Sequence, residues 1–167
     1  MDHNDYKLQV KKFGSIKLNS KIPKNRKFEF LEDIATADIA FECYGRNLSE
    51  LFENAAYAIF DIMVDLKSVK SKISKNIKLK AETVENLLYD FLSEIIYIKD
   101  ADYMVFNKVL VKIKEGRNDY QLEAVIYGDK IDYEEQKLKL DVKAVTMHMF
   151  MIQKLKTGYK ALVIVDI

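Results

Sequence analysis

Apolar residues recur along this chain with distinct periods, and each period points to an element. Residues 37–44 alternate, with Ile39, Phe41 and Cys43 on one side and Asp38, Ala40 and Glu42 on the other. This is the pattern of a half-buried strand, and Gly45 ends it. Asn47 followed by Glu50 resembles a capping box, after which Leu48, Leu51, Phe52, Ala55, Ala56, Ile59, Phe60 and Met63 recur at helical spacing. Ile77, Leu79 and Ala81 alternate with Lys78, Lys80 and Glu82, which predicts a short strand. Thr83 can cap a second helix, in which Val84, Leu87, Leu88, Phe91, Leu92, Ile95 and Ile96 repeat the same stripe.

Beyond Asp102 the period falls to two and β-branched or aromatic residues dominate. Met104 to Lys114 and Tyr120 to Tyr127 flank Glu-Gly-Arg-Asn-Asp and read as a hairpin. Gly128 to Gln136 is a polar excursion, and Leu138 to Ile152 is long enough for one bent strand or two shorter ones. After the turn at Gly158, the run Ala161 to Val165 is apolar on both faces, as in a central strand covered on both sides. The order predicts an α+β fold, a single domain in which two amphipathic helices pack on a mixed β-sheet. No residue-level repeat is visible.

Composition narrows the class. A chain of 167 residues, 49% of them hydrophobic, can bury one sizeable core. One Pro and five Gly exclude collagen-like character and leave little material for a glycine-built phosphate loop. The single cysteine excludes an intramolecular disulfide framework and a cysteine-based zinc cluster, and fits a reducing compartment. No apolar run approaches the roughly 20 residues that span a bilayer, and the first 12 residues lack the apolar block of a secretory signal. The expectation is a cytoplasmic protein without a membrane partner. The near-neutral total of +1 is an average, because residues 1–27 carry eight basic groups against two acidic ones, a net +6. Residues 28–167 hold 19 basic and 24 acidic groups, a net −5. The leading segment, with Pro23 in a polar stretch, reads as a basic extension of a domain spanning 28–167. It suits a solvated tail or an arm that holds RNA weakly through its phosphates, and Val10, Phe13, Ile16 and Leu18 alternatively supply an edge strand.

Catalytic signatures are mostly absent: there is no Walker loop, no Gly-x-Gly-x-x-Gly, no Gly-x-Ser-x-Gly and no His-Glu-x-x-His. His3 lies in the extension, so a Cys43–His148 nucleophile–base pair is the one such pair to weigh. Against it, Cys43 falls on the apolar face of its strand, where cysteine behaves as a small hydrophobe. Met147, Met149 and Met151 alternate as a sulfur-rich core face would. The acidic residues say more. Asp38 opens a strand and Asp166 closes one, beside Ile167 and its terminal carboxylate. A carboxylate at the end of a buried strand needs solvent, a cationic side chain such as Lys143 or Arg46, or a hard cation that takes oxygen ligands.

Five ordered segments carry a resemblance. Residues 28–45, with Thr-Ala-Asp38 followed by a hydrophobic strand and Gly45, resemble the opening signature of the archease family. Leu51 to Met63, Asn86 to Tyr97, Val142 to His148 and the closing Val163-Ile-Val-Asp-Ile167 are similar to later segments of that family, so the likeness spans 28–167. The resemblance implies a non-catalytic accessory protein of the RNA ligase that joins tRNA halves bearing a 3′-phosphate or 2′,3′-cyclic phosphate to a 5′-hydroxyl. In that role it promotes ligase guanylylation and turnover; an alternative casts the family as chaperones of RNA methyltransferases. It also implies a metal site on Asp38, Asp166 and Ile167, holding a divalent cation, calcium first and magnesium or manganese next. Where many members have His before Thr-Ala-Asp, this chain has Ala35. A metal-dependent phosphoester enzyme is the competing reading, and it needs a general base, for which His148 is the histidine candidate.

Overall fold

The computed structural model describes Lys21, residues 25–31 and residues 38–167. Most of the basic extension, the suggested edge strand at 10–18, and Ala35 lie outside the described residues. Within them run seven strands and two α-helices: β1 (Phe28–Leu31), β2 (Asp38–Gly45), α1 (Leu48–Met63), β3 (Ile73–Ala81), α2 (Val84–Asp102), β4 (Met104–Glu115), β5 (Tyr120–Lys130), β6 (Ala144–Leu155) and β7 (Gly158–Asp166). A single 3₁₀ turn, Leu66–Ser68, links α1 to β3. No helix among the described residues is long and apolar enough to cross a membrane.

The α+β class and both helices stand as the periodicity predicts. The sheet is different: the strands divide into a four-stranded sheet ordered β1-β2-β7-β6 and a three-stranded sheet ordered β3-β5-β4. Every pairing among the described residues is antiparallel, so the expected mixed sheet is instead two antiparallel ones. The physical reason is that alternation fixes which face of a strand is buried and leaves open which strand pairs with which.

Both helices touch both sheets, α1 against β2 and β4, α2 against β6 and β3. They meet through Phe52 and Phe91, whose rings stack with centroids 5.9 Å apart. One large apolar cluster therefore joins both helices to both sheets, with Phe41, Phe60, Leu92, Phe106 and Val163 all fully buried in it, and a small second cluster gathers Val64, Val69 and Val105. Each helix begins on a side-chain cap. Asn47 accepts from the Glu50 amide at 2.9 Å, and Glu50 reaches back to the Arg46 amide at 2.7 Å, one residue further than a regular capping box. Thr83 accepts from the Asn86 amide at 3.2 Å. Gly45 is required by contact: a Cβ there would stand 2.2 Å from the Leu51 amide nitrogen, so only glycine lets β2 turn directly into α1.

β7 is the central strand expected from its run of apolar residues, and Ala161 through Val165 are all buried. β6 settles the ambiguity over 138–152 in an unforeseen way. Leu138 makes only an isolated bridge to Val64, and the strand runs on to Leu155. Between Thr146 and Met151 its register against β7 shifts, and Met149 takes a left-handed φ of 56°. The extra residues form a wide bulge that lifts Met147 and His148 into solvent. The expected sulfur-rich core face does not form, since Met147 and Met151 are both exposed.

Candidate metal centre

The two aspartates lie 128 positions apart in the chain and are brought face to face by strand register. β2 begins at Asp38, β7 ends at Asp166, and the antiparallel pairing runs Asp38↔Asp166, Ile39↔Val165, Ala40↔Ile164, Phe41↔Val163. Directly opposed residues share a face, with Cβ atoms roughly 4.5–5.5 Å apart. Because Ile39, Phe41, Val163 and Val165 turn to the helices, Asp38 and Asp166 fall on the other face, in line with buried Ala40 and Ile164. Both carboxylates are half-buried.

Neither of the cationic side chains considered from sequence pairs with these carboxylates. Arg46 sits at the far end of β2 and holds Glu50 at 2.9 Å. Lys143 approaches, but its amide donates to the Asp166 main-chain oxygen at 2.8 Å and its Nζ to the Ile167 main-chain oxygen at 3.2 Å. Among the described residues, no ion pair or hydrogen bond engages the Asp38 or Asp166 side chain. Two adjacent like charges without a protein counter-charge are an unfavourable arrangement that a divalent cation relieves.

The donor set suits a hard cation. Asp38 and Asp166 offer carboxylate oxygens, and Ile167, next in the chain to Asp166, has a main-chain oxygen that accepts from the Lys143 Nζ and that a cation would take over. Among the described residues no group of three or more His, Cys, Asp or Glu side chains assembles. A cation here would thus have two protein carboxylates, with water or a partner's oxygens completing its shell, the ligand pattern of calcium or magnesium rather than of a closed zinc site. Cys43 is fully buried opposite Ala161, and burial pushes its thiol far above the usual range, so it is a core residue and no nucleophile. His148 stands on the exposed bulge of β6, four residues beyond the Ala144 that pairs with Asp166.

Comparison with known proteins bears on the family and the fold. The Archease protein family matches residues 28–167. Protein archease of Methanosarcina barkeri is 37% identical over 145 residues, 86% of this chain and 98% of that protein. Its counterpart in Pyrococcus abyssi is 41% identical over 123 residues, 74% of this chain and 87% of that protein. The solution structure of Methanobacterium thermoautotrophicum protein 1598 superposes with a TM-score of 0.75 at 37% identity, covering 84% of this chain and 99% of that one. A crystal structure from Thermotoga maritima, described as an archease and possible chaperone, shares the fold at a TM-score of 0.55 and 20% identity, covering 88% of this chain and 98% of that one.

Proposed function

This chain belongs to the archease family, and from that premise we propose that it is a non-catalytic, metal-binding activator of the cytoplasmic RNA ligase that joins tRNA halves. The observation that carries the reading is the cross-strand pairing of Asp38 with Asp166, half-buried and, among the described residues, without a cationic side chain paired to either carboxylate. Asp38, Asp166 and the Ile167 oxygen would hold a divalent cation, calcium being the best match to an all-oxygen, partly open set of ligands. Such a cation supplies charge neutralisation for phosphoryl transfer.

The residues of this chain contribute position. β2 and β7 are locked by the core, so the two carboxylates are presented at a fixed spacing at the end of a sheet. Docked beside the nucleotide site of the ligase, that end would help organise guanylylation while making no covalent bond itself. The acidic balance of residues 28–167, net −5, suits approach to a basic, nucleotide-handling partner.

The test is ligation of RNA ends at substoichiometric ligase, with calcium present, comparing wild type with Asp38→Asn. Wild type should restore multiple turnover and the variant should lose most of that stimulation while keeping its circular dichroism spectrum. If wild type leaves a cognate ligase unstimulated, or if Asp38→Asn stimulates equally at limiting metal, the reading fails.

A further inference from the structure

The three-stranded sheet turns one face to the helices and leaves the other open. Its inward residues are Ile77 and Leu79 on β3, Val109 and Val111 on β4, and Leu122, Ala124 and Ile126 on β5. The outward face is ordered in rows by the register. Lys80 and Lys114 flank Gln121, Lys78 and Lys112 flank Glu123, Asn76 and Leu110 flank Val125, and Ser74 and Lys108 flank Tyr127. Five lysines therefore face one carboxylate on this surface, a local charge of +4 on a domain whose total is −5. Of these five, Lys80 alone is neutralised by an ion pair among the described residues, with Asp119 at 2.8 Å. Lys78, Lys112 and Lys114 have no ion-pair partner among the described residues.

Shape and chemistry select the occupant. Two shallow adjoining grooves, about 340 and 260 Å³, run over Lys78, Lys112 and Glu123. At the other end of the face, Lys108 lies over the Tyr127 ring at 5.1 Å, next to the half-exposed Leu110. We propose that this open lysine-lined sheet face is an RNA-binding surface, one that holds a single strand by its phosphates along β3 and β4 and packs bases on the Tyr127–Leu110 end. Alternation along a strand places successive lysines about 6.5–7 Å apart, in two columns separated by the width of β5. Lysine is a point charge on a flexible stem and meets phosphate without a fixed register, whereas planar carboxylates are most often gripped by arginine forks, and this face contains no arginine. Val125 and Leu110 between the lysine rows, with the Tyr127 ring and the Lys108 stem beyond them, give bases an apolar platform to pack on that works for any sequence.

Charge excludes two other occupants. The leading segment 1–27, at net +6, has the same sign as the face. A second copy applied face to face would oppose lysine to lysine.

The test uses the full chain, without ligase and without added metal, and a fluorescent mixed-sequence single-stranded RNA 15-mer titrated across a salt series. Failure here therefore leaves the proposed function untouched, and success does not depend on it. The triple variant Lys78→Gln, Lys112→Gln, Lys114→Gln should weaken binding about tenfold or more at low salt. It should also reduce the slope of log K against log salt by about 2, from the roughly 0.7 lost per phosphate contact on a single strand. A second variant, with Lys7, Lys11 and Lys12 changed to Gln, controls for the extension and should retain most of the affinity. The inference is overturned if the triple variant binds like wild type, if the extension variant alone abolishes binding, or if polyglutamate competes as well as RNA of equal charge. Should the triple variant prove misfolded by circular dichroism, Lys108→Gln with Lys112→Gln repeats the measurement with the same expected direction.

Discussion

Exchanging Asp166 for Asn should change the stability of this protein in opposite directions depending on whether a cation is present. Without a divalent ion, Asp38 and Asp166 are like charges directly opposed across β2 and β7. Such a pair costs roughly 0.2–1 kcal/mol. The amide keeps the shape and removes the repulsion, and the main-chain bond from the Lys143 amide to the Asp166 oxygen is untouched. At roughly 2–4 °C per kcal/mol for a domain of this size, Asp166→Asn in chelator should melt up to about 4 °C above wild type. With calcium at about 100 times its Kd, the proposed site should give the wild type roughly 2.7 kcal/mol, or about 5–11 °C, for an ion that binds the folded pair alone. The variant loses most of that gain, so the order of the two melting temperatures reverses. Differential scanning calorimetry of both proteins in chelator and in a calcium series measures it. A variant less stable than wild type in chelator, or an equal calcium shift in both, would refute the reasoning.

Two further effects follow from the scaffold. Glu50 is held below the usual carboxylate range chiefly by the Arg46 side chain, with the Arg46 amide adding to it. Because its folded pKa is depressed, its contribution is present above the unfolded value of about 4.3 and is lost as pH falls through the folded one. Glu50→Gln should therefore lower the melting temperature at pH 7, and thermal melts across pH 7 to 3 should show the difference shrinking below about pH 4. Lys99 is buried, yet its carboxylate partners Asp100 and Asp141 are largely exposed and can be solvated without it. The Lys99 Nζ also donates to the buried Val142 main-chain oxygen at 3.1 Å, so Lys99→Met, which strands that acceptor, should cost roughly 1–3 kcal/mol in urea unfolding, and Lys99→Ala, which also removes the packed stem, should cost more.

Much of the fold is legible in the sequence where one period runs undisturbed. The two helices, the hairpin around Gly116 and the apolar run of β7 all stand where their patterns put them. The partition into two sheets is not legible, because the alternation of β3 and the two-sided apolar run of β7 each show how a strand is buried and not that β3 joins β5 while β7 joins β2. Met147 to Met151 keeps a strand-like alternation through a bulge, so a period of two misassigns its faces. For the candidate site, spacing shows two carboxylates at strand ends and cannot show that they are opposed; that relation exists only in the register. The lysine face has a visible signal, Lys78 with Lys80 and Lys112 with Lys114 two apart, but a charge summed over residues 28–167 cancels it against acidic groups elsewhere.

The register of β2 on β7 also bears on how this site can change over evolutionary time. Adding or removing one residue inside either strand would move Asp38 off Asp166 and, in the same step, rotate Phe41 or Val163 out of the core. Length changes there are penalised as folding defects before any loss of function is exposed. Substitution is cheap by contrast, since an Asn or Ser at either end of the ladder leaves the packing intact. Lineages that dispense with the paired carboxylates should therefore lose them by point replacement on an unaltered strand pair, and their sheets should retain the geometry long after the chemistry has gone.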